Sequence, residues 1–368
     1  MILQSNFAKR NVSNVENTPP SVLPKSLVSR LSHRRRVRHG NLNKYVAEQA
    51  ARRSRKQPPK QLKFNMTALP IPNIEMSDAA PVASSSNTVP VSLPKELARP
   101  AFKEVTREAL LACSSTFTEV PAAYIRDAFE PFGPDALKSL ASVRPEPVSP
   151  DRIPSEVQVR LECSSDESPL NPTHMLAIHG PPLPSNVPVS KRKVTLYPVH
   201  AHFLAIHCAR LPPFLPFEDT LVNPGTPFKI PVRTICLPSP STYARLSTYL
   251  YTMKTEALLS SLMPLPPPPG LLTPPIPVDG SYAVPLSSEE HRKLVKTYAY
   301  RVASTYTTQV ILQHATLVHG LWQNICVLGI FDDGLWEVID IAWQVLLAAI
   351  AVGTGSSIDI VLGEEELI

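Results

Sequence analysis

Glycine is scarce, with 12 in 368 residues, which excludes collagen-like and glycine-rich low-complexity chains. Cysteine is sparse too: Cys113, Cys163, Cys208, Cys236 and Cys326 are scattered, odd in number and form no CxxC pair. That argues against a disulfide framework and fits reduced thiols of a cytosolic or nuclear protein. No GxGxxG, Walker loop, GxSxG or HExxH occurs, so no catalytic constellation stands out and an enzyme is not expected. The first residues lack the apolar core of a signal peptide, because Asn6, Lys9 and Arg10 interrupt it. They share the basic, acid-poor look of a transit peptide, but frequent proline and weak amphipathicity oppose that reading. Long hydrophobic runs are missing as well, with one stretch to weigh, LWEVIDIAWQVLLAAIAV (335–352). Glu337, Asp340 and Gln344 interrupt it, and a carboxylate at mid-bilayer costs about 2.5–3.5 kcal/mol. A buried helix of a soluble protein is expected there, not a membrane span.

Proline is the abundant residue: 42 in all, against a usual share of about 5%. Hydrophobic residues make up 43% and charged ones 18%, so a core must be buried, but not evenly along so proline-rich a chain. A folded unit among extended connectors is expected. The net charge of +5 hides an asymmetry. Residues 1–63 hold 15 Lys/Arg against Glu16 and Glu48, a balance of +13, which leaves −8 for the remainder. A basic arm therefore precedes a mildly acidic body.

Residues 1–99 show no sustained apolar period and read as a disordered basic arm and linker, with one helix candidate at 42–56. Two clusters stand out there, Arg34, Arg35, Arg36 and Arg38, then Arg52, Arg53, Arg55 and Lys56. Such clusters serve nuclear import and also attract phosphate backbones. No aromatic residue alternates with them, so a specific nucleic-acid platform is weakly supported. Residues 100–144 repeat apolar positions at three and four, as short amphipathic helices do. Over 155–263 the period changes. VQVRLEC (157–163), HMLAIHG (174–180) and KVTLYPV (193–199) predict strands, followed by a helix from His200 to Pro212. FKIPVRTICL (228–237) predicts a strand whose Pro231 belongs at an edge or bulge. Ser239-Pro240-Ser241 then starts a helix carrying Tyr243, Leu246, Tyr249 and Leu250 on one face, and a further short helix covers 255–263. Residues 264–287 form a proline-rich linker, a stiff spacer or a ligand for an aromatic groove. Residues 288–356 form a C-terminal helical region capped by Ser287 or Ser288 and broken in two at Phe331-Asp332-Asp333-Gly334. Residues 357–368 are an acidic tail.

His200, His202, His207 and Cys208 crowd together, but H-x-H-x4-H-C lacks the paired spacing of a zinc site. On one helix His200 and His207 stand about 10.5 Å apart along the axis, too far for one small ion. Packing and capping explain these histidines, and no metal or cofactor is implied. Trp322, Trp336 and Trp343 are expected to pack internally.

The segments VTLYPVHAHFLAIHCARLPPFLP (194–216) and KIPVRTICLPSPSTYARLSTYLYTMKTEALLSSLMP (229–264) resemble the fungal clampless protein family. In that family a Pro-Val-His strand end leads into a helix, and a later "LPSP…YLYT" segment closes the unit. More distantly the block is similar to BTB/POZ domains, where a strand delivers a histidine to a helix with a Leu-Ala core pair, here His200, Leu204 and Ala205. A later strand there meets a helix ending in Tyr-Leu-Tyr-Thr, here Tyr249, Leu250, Tyr251 and Thr252. The proline-rich loop 211–228 departs from ordinary BTB domains. The resemblance implies an α+β fold: a BTB/POZ-like core of short strands and helices, flanked by helices and a disordered basic N-terminal arm. It also implies a non-enzymatic regulator of sexual development in basidiomycetes, acting downstream of mating-type homeodomain proteins in clamp-cell formation and dikaryon maintenance. Such a regulator works in the nucleus through protein partners, homeodomain or other transcription regulators among them. The competing expectations are a BTB-type adaptor for a cullin ubiquitin ligase and a direct nucleic-acid binder driven by the arm.

Overall fold

Alternating apolar residues over 156–161 put Val157, Val159 and Leu161 on one buried face, as a half-buried strand requires. The computed structural model describes residues 60–67, 88–117, 119–147, 153–162, 171–182, 193–215, 217, 225–272 and 287–363. Within them, β3 (Val143–Pro145), β4 (Glu156–Leu161), β5 (His174–His179), β6 (Val194–Val199) and β7 (Phe228–Cys236) form one sheet in the order β3-β4-β7-β5-β6. All neighbours are antiparallel except β5 and β7, which run parallel. A parallel pair needs a crossover, and helix α4 (Ala201–Ala205) lies on the connection from β6 to β7. Strand β5 is apolar nearly throughout and buried at five of six positions, as suits a strand paired on both sides.

Pro231 does not mark an edge strand, because β7 is the middle strand of the sheet. The proline stands at a handover: β4 pairs with Phe228 to Pro231, and β5 takes over from Val232 to Cys236. Val232 donates to the Ser155 carbonyl at 2.7 Å, on the β4 side. Strand amides alternate sides, so the amide that Pro231 lacks would face β5 before that ladder begins.

Helices pack on the sheet through Leu176, Ile178 and Val199, whereas Val143, Val157, Val159, Leu161 and Ile230 form a separate cluster. Thr106 caps α1 (Arg107–Leu111), and α2 (Ala122–Phe129) and α3 (Gly133–Ala141) follow. After β7, Pro240–Thr242 forms a single 3-10 turn that leads into α5 (Tyr243–Thr252), then α6 (Thr255–Leu262). The Ser239 side chain does not cap this start. Asn324 grips it instead: its Oδ1 accepts from the Ser239 amide, and its Nδ2 donates to Ser239 O and Thr242 Oγ1. The expected cap at Ser287 forms as a full capping box with Glu290, opening α7 (Ser288–Thr305).

The C-terminal region breaks twice, not once. Tyr306 leaves α7 in extended geometry and Thr307 caps α8 (Thr308–Leu328), a start signal that the apolar period concealed. Gly329 in the left-handed region ends α8, and Asp332 caps α9 (Asp333–Gly353). Fourteen residues of α9 are buried, against α6, α7, α8 and α10 (Asp359–Leu362) among others, so the membrane-length segment is the central core helix of this fold. The early and late halves of the chain meet directly. Ala209 and Arg210 donate to the carbonyls of Gly329 and Leu328, and one apolar cluster runs from Leu62 to Val361.

Three boundaries move. Within the stretch expected to be disordered, β1 (Gln61–Thr67) pairs antiparallel with β2 (Thr88–Pro94), and Leu62, Phe64 and Leu97 are buried. These apolar side chains are too few for a periodic signal, but the core they join is supplied by distant helices. The proline-rich linker begins as packed chain: Tyr298 and Tyr306 donate to the carbonyls of Leu265 and Pro264, and Leu271 is buried. The acidic tail likewise starts later than 357, since α10 docks through Val361 and Asp359 pairs with Arg292 at 3.7 Å. The helix candidate at 42–56 lies outside the described residues.

Gly133 opens α3 against the end of α5, and a Cβ there would stand 1.8 Å from the Tyr251 carbonyl oxygen. Because that neighbour is helical backbone, Gly133→Ala is expected to cost about 1–3 kcal/mol of unfolding free energy in urea. Gly180→Ala, whose Cβ meets only the Pro240 ring at 3.7 Å, should stay within about 0.5 kcal/mol.

Candidate functional site

Strand β6 ends at Val199, and His200 turns the chain into α4 with the extended backbone of a helix start. Its side chain caps nothing in that helix. The Ala201 amide donates instead to Thr173 Oγ1 at 2.8 Å, from just before β5. The His200 ring faces α5, where the Tyr251 hydroxyl accepts from the His200 amide at 3.0 Å and lies 3.1 Å from Nδ1. A phenol has one proton to give, so the arrangement that satisfies all three groups has Tyr251 donating to Nδ1 and the imidazole proton on Nε2. Both residues are fully buried, and desolvation raises the tyrosine pKa further, which keeps this proton in place.

The other motif residues close the same junction. Leu204, Ala205 and Leu250 are buried in the core beside it. Phe203 stacks on Tyr251 with ring centres 4.6 Å apart. Tyr249 donates to the Asp332 carboxylate, which also accepts from the Leu335 amide at 2.9 Å as the cap of α9. His200, Leu204, Ala205, Tyr249, Leu250 and Tyr251 come together in a buried joint between sheet and helices. Thr173 and Asp332, which complete it, gave no spacing signal with the histidine, although Asp332-Asp333-Gly334 carries the mark of a helix start.

The titratable groups here are arranged for neutrality. Burial, then the neighbouring His200, lowers the His202 pKa to about 3, and its ring lies 4.8 Å from that of Phe129 and 4.9 Å from that of Phe203. Burial lowers His174 to about 4, with its Nε2 3.1 Å from the Leu215 carbonyl of the proline-rich loop. Burial pushes the thiols of Cys113 and Cys326 up to about 11 and that of Cys208 to about 12, which makes them poor nucleophiles. Among the described residues no group of three His, Cys, Asp or Glu side chains could hold a metal ion. His202 lies within α4 and His207 beyond its end, so the four crowded residues do not share one helix.

A recess between α2, α4 and α5 is lined by Arg126, Phe129, Glu130, Phe203, Ile206, His207, Leu250 and Met253 and spans about 240 Å³, counting space open to solvent. Large apolar side chains left at the surface include Phe132 and Leu215, 52% and 65% exposed. Trp336 and Trp343 are buried as expected, and Trp322 is half-buried. The basic clusters, Arg34, Arg35, Arg36 and Arg38 with Arg52, Arg53, Arg55 and Lys56, lie outside the described residues.

Two family models match the chain in order. The Clampless protein 1 N-terminal domain matches residues 100–238, and the Clampless protein 1 C-terminal domain matches residues 256–365. No curated protein and no solved structure matches.

Tyr251→Phe would leave the His200 amide and ring nitrogen without their partner in full burial. An unfolding free energy lower by about 1–3 kcal/mol in urea is expected. A second effect concerns acid. His174 and His202 hold folded pKa values below the ordinary 6.5, so the unfolded chain binds protons first as pH falls. Their stabilisation is complete above about pH 6.5 and is lost as pH falls through about 4 and then 3. His202→Phe, which keeps an aromatic ring, should flatten the fall in urea midpoint between pH 6.5 and pH 4.

Proposed function

The chain belongs to the clampless protein family, and from that premise we propose that it is a non-enzymatic regulator of fungal sexual development, acting in clamp-cell formation and dikaryon maintenance through protein contacts in the nucleus. The observation that carries the reading is the family match in both domains, which together take in residues 100–238 and 256–365 and support a role in fungal clamp development. The mechanism rests on the residues. The conspicuous histidines and tyrosines are consumed in packing, the buried thiols are held protonated, and what faces outward includes large apolar side chains such as Phe132 and Leu215. Such side chains suit a protein interface better than a reaction site. The basic arm supplies the import address.

The block 155–263, from β4 to α6, is read as BTB/POZ-like. Its support is the succession of elements: antiparallel β5 and β6, a histidine-led helix, β7 parallel to β5, then a helix ending in Tyr249-Leu250-Tyr251-Thr252.

Affinity purification with mass spectrometry from mating fungal cells tests the proposal, using the full chain and one shortened to begin at residue 60. Homeodomain or other transcription regulators are expected with both, and nuclear entry only with the full chain. Cullin and ubiquitin components in their place would replace the reading with a ligase adaptor. If the shortened chain binds nothing, binding belongs to the arm.

A further inference from the structure

All three tryptophans of the chain stand on one side of α8 and α9, and all three touch or flank a single segment. That segment, PKELARPAF (94–102), leaves β2 at Pro94 and runs to Phe102 without helix or strand. Trp343 Nε1 donates to the Pro94 carbonyl at 3.1 Å, and Trp322 Nε1 donates to the Ala98 carbonyl at 2.9 Å. Between them Leu97 is buried, while Arg99 lies over the Trp336 ring, 5.4 Å from its centre, and pairs with Asp340. Phe102 ends the run edge-on to Phe331, at 5.1 Å. His319 stands beside two of the indoles, its ring 5.0 Å from Trp322 and 6.1 Å from Trp343.

These contacts are those of a bound peptide. Two indole N–H groups read backbone carbonyls four residues apart, as aromatic grooves read proline-containing segments, and one apolar and one cationic side chain add specificity. The receiving residues stand on helices that also pack against α6, α7 and α10. The Trp-bearing face lies wholly within the match to the C-terminal domain (256–365), whereas residues up to 99 precede the match that begins at 100.

We propose that this tryptophan face is a docking groove for an extended peptide of the Pro-x-x-Leu-x-Arg-Pro-x-Phe kind carried by a partner protein, and that residues 94–102 occupy it in cis as a competing pseudo-ligand. The partner chemistry is fixed by the groove: free carbonyls at the first and fifth positions, a leucine at the fourth, and an arginine at the sixth to meet Trp336 and Asp340. A tethered competitor acts at millimolar effective concentration, so the groove opens to a partner only when the strap is weakened or outmatched. This inference stands apart from the developmental role, since purified chain and peptide test it without a mating cell.

The probe is a fluorescein-labelled peptide of residues 94–102, titrated by anisotropy against the full chain. Arg99→Ala is expected to bind it at least about tenfold more tightly than the wild type, because the strap competes less. Adding Asp340→Asn should remove most of that gain. Tryptophan emission reports this face alone and should shift to the red in Arg99→Ala and return on saturation with peptide. Equal binding by all three chains, or none by a folded Arg99→Ala chain, overturns the proposal. Should Arg99→Ala fail to fold, Arg99→Lys, which keeps the charge but loses the planar fork over Trp336, must redden the emission and raise affinity for the unaltered peptide, and an unchanged chain sinks the idea. Concentration-dependent dimers of the wild type that the peptide dissolves would assign the groove to a second copy and overturn the partner reading.

Discussion

Helix α9 has to be taken out of water, and the rest of the molecule is arranged to do so. Its window of highest hydropathy is 78% buried, and Trp336, Val338, Ile339, Ala342 and Leu346 have no exposed surface. Each large apolar side chain hidden in this way contributes roughly 1.5–3 kcal/mol relative to exposure, so no single helix could shield it. Helices α6, α7, α8 and α10 surround it, and the segment after β2 lies against its remaining side through Trp336 and Trp343. The two carboxylates that make a bilayer span so costly fall on half-exposed positions. Asp340 there meets Arg99, so the residues that interrupt the apolar run also orient it.

Hydrophobic burial is non-directional, and a set of polar joints decides how the elements meet. His200 with Tyr251 fixes the end of β6 against α5. Tyr249 with Asp332 ties the same helix to the start of α9, and Asn324 of α8 holds the turn before α5. Each is satisfied on both sides, which is the condition for a buried polar group to specify structure without destabilising it. Helix α5 takes part in all three joints or abuts them, so the Tyr-Leu-Tyr segment links the mixed sheet to the helical half. That explains why a segment so conspicuous in sequence presents no surface: its hydroxyls and rings are spent inside.

Membership of the clampless family thus attaches to a body in which chemistry has been quieted. Histidines are kept neutral, thiols are kept protonated, and the tryptophans address a stretch of the chain's own backbone. Such a body suits the proposed role in recognition. The peptide-like occupation of the tryptophan face fits that picture, because it shows a contact mode that depends on backbone carbonyls and one arginine.

Composition and period by themselves determined a good deal. Four of the five strands of the main sheet (β4 to β7), the helices at 201, 243 and 255, the Ser287 cap and the burial of 335–352 all follow from local signals, whereas β3 lies at the boundary of stretches whose pattern reads as helix and linker. Alternation, capping residues and interrupting charges act over a few positions and are legible wherever they occur. The quoted motifs also identified the family. Other features were decided only in three dimensions. Pro231 read as an edge or bulge residue because a sequence does not reveal that one strand trades partners midway. The pairing of β1 with β2, the docking of 264–272 and the division at Thr307 depend on surfaces built by distant residues. Likewise His200 could be read as a cap or a ligand until Tyr251, 51 positions later, was brought to its ring. A side chain's type and neighbours are written in the chain, but its partner is chosen by which surfaces the core forces together.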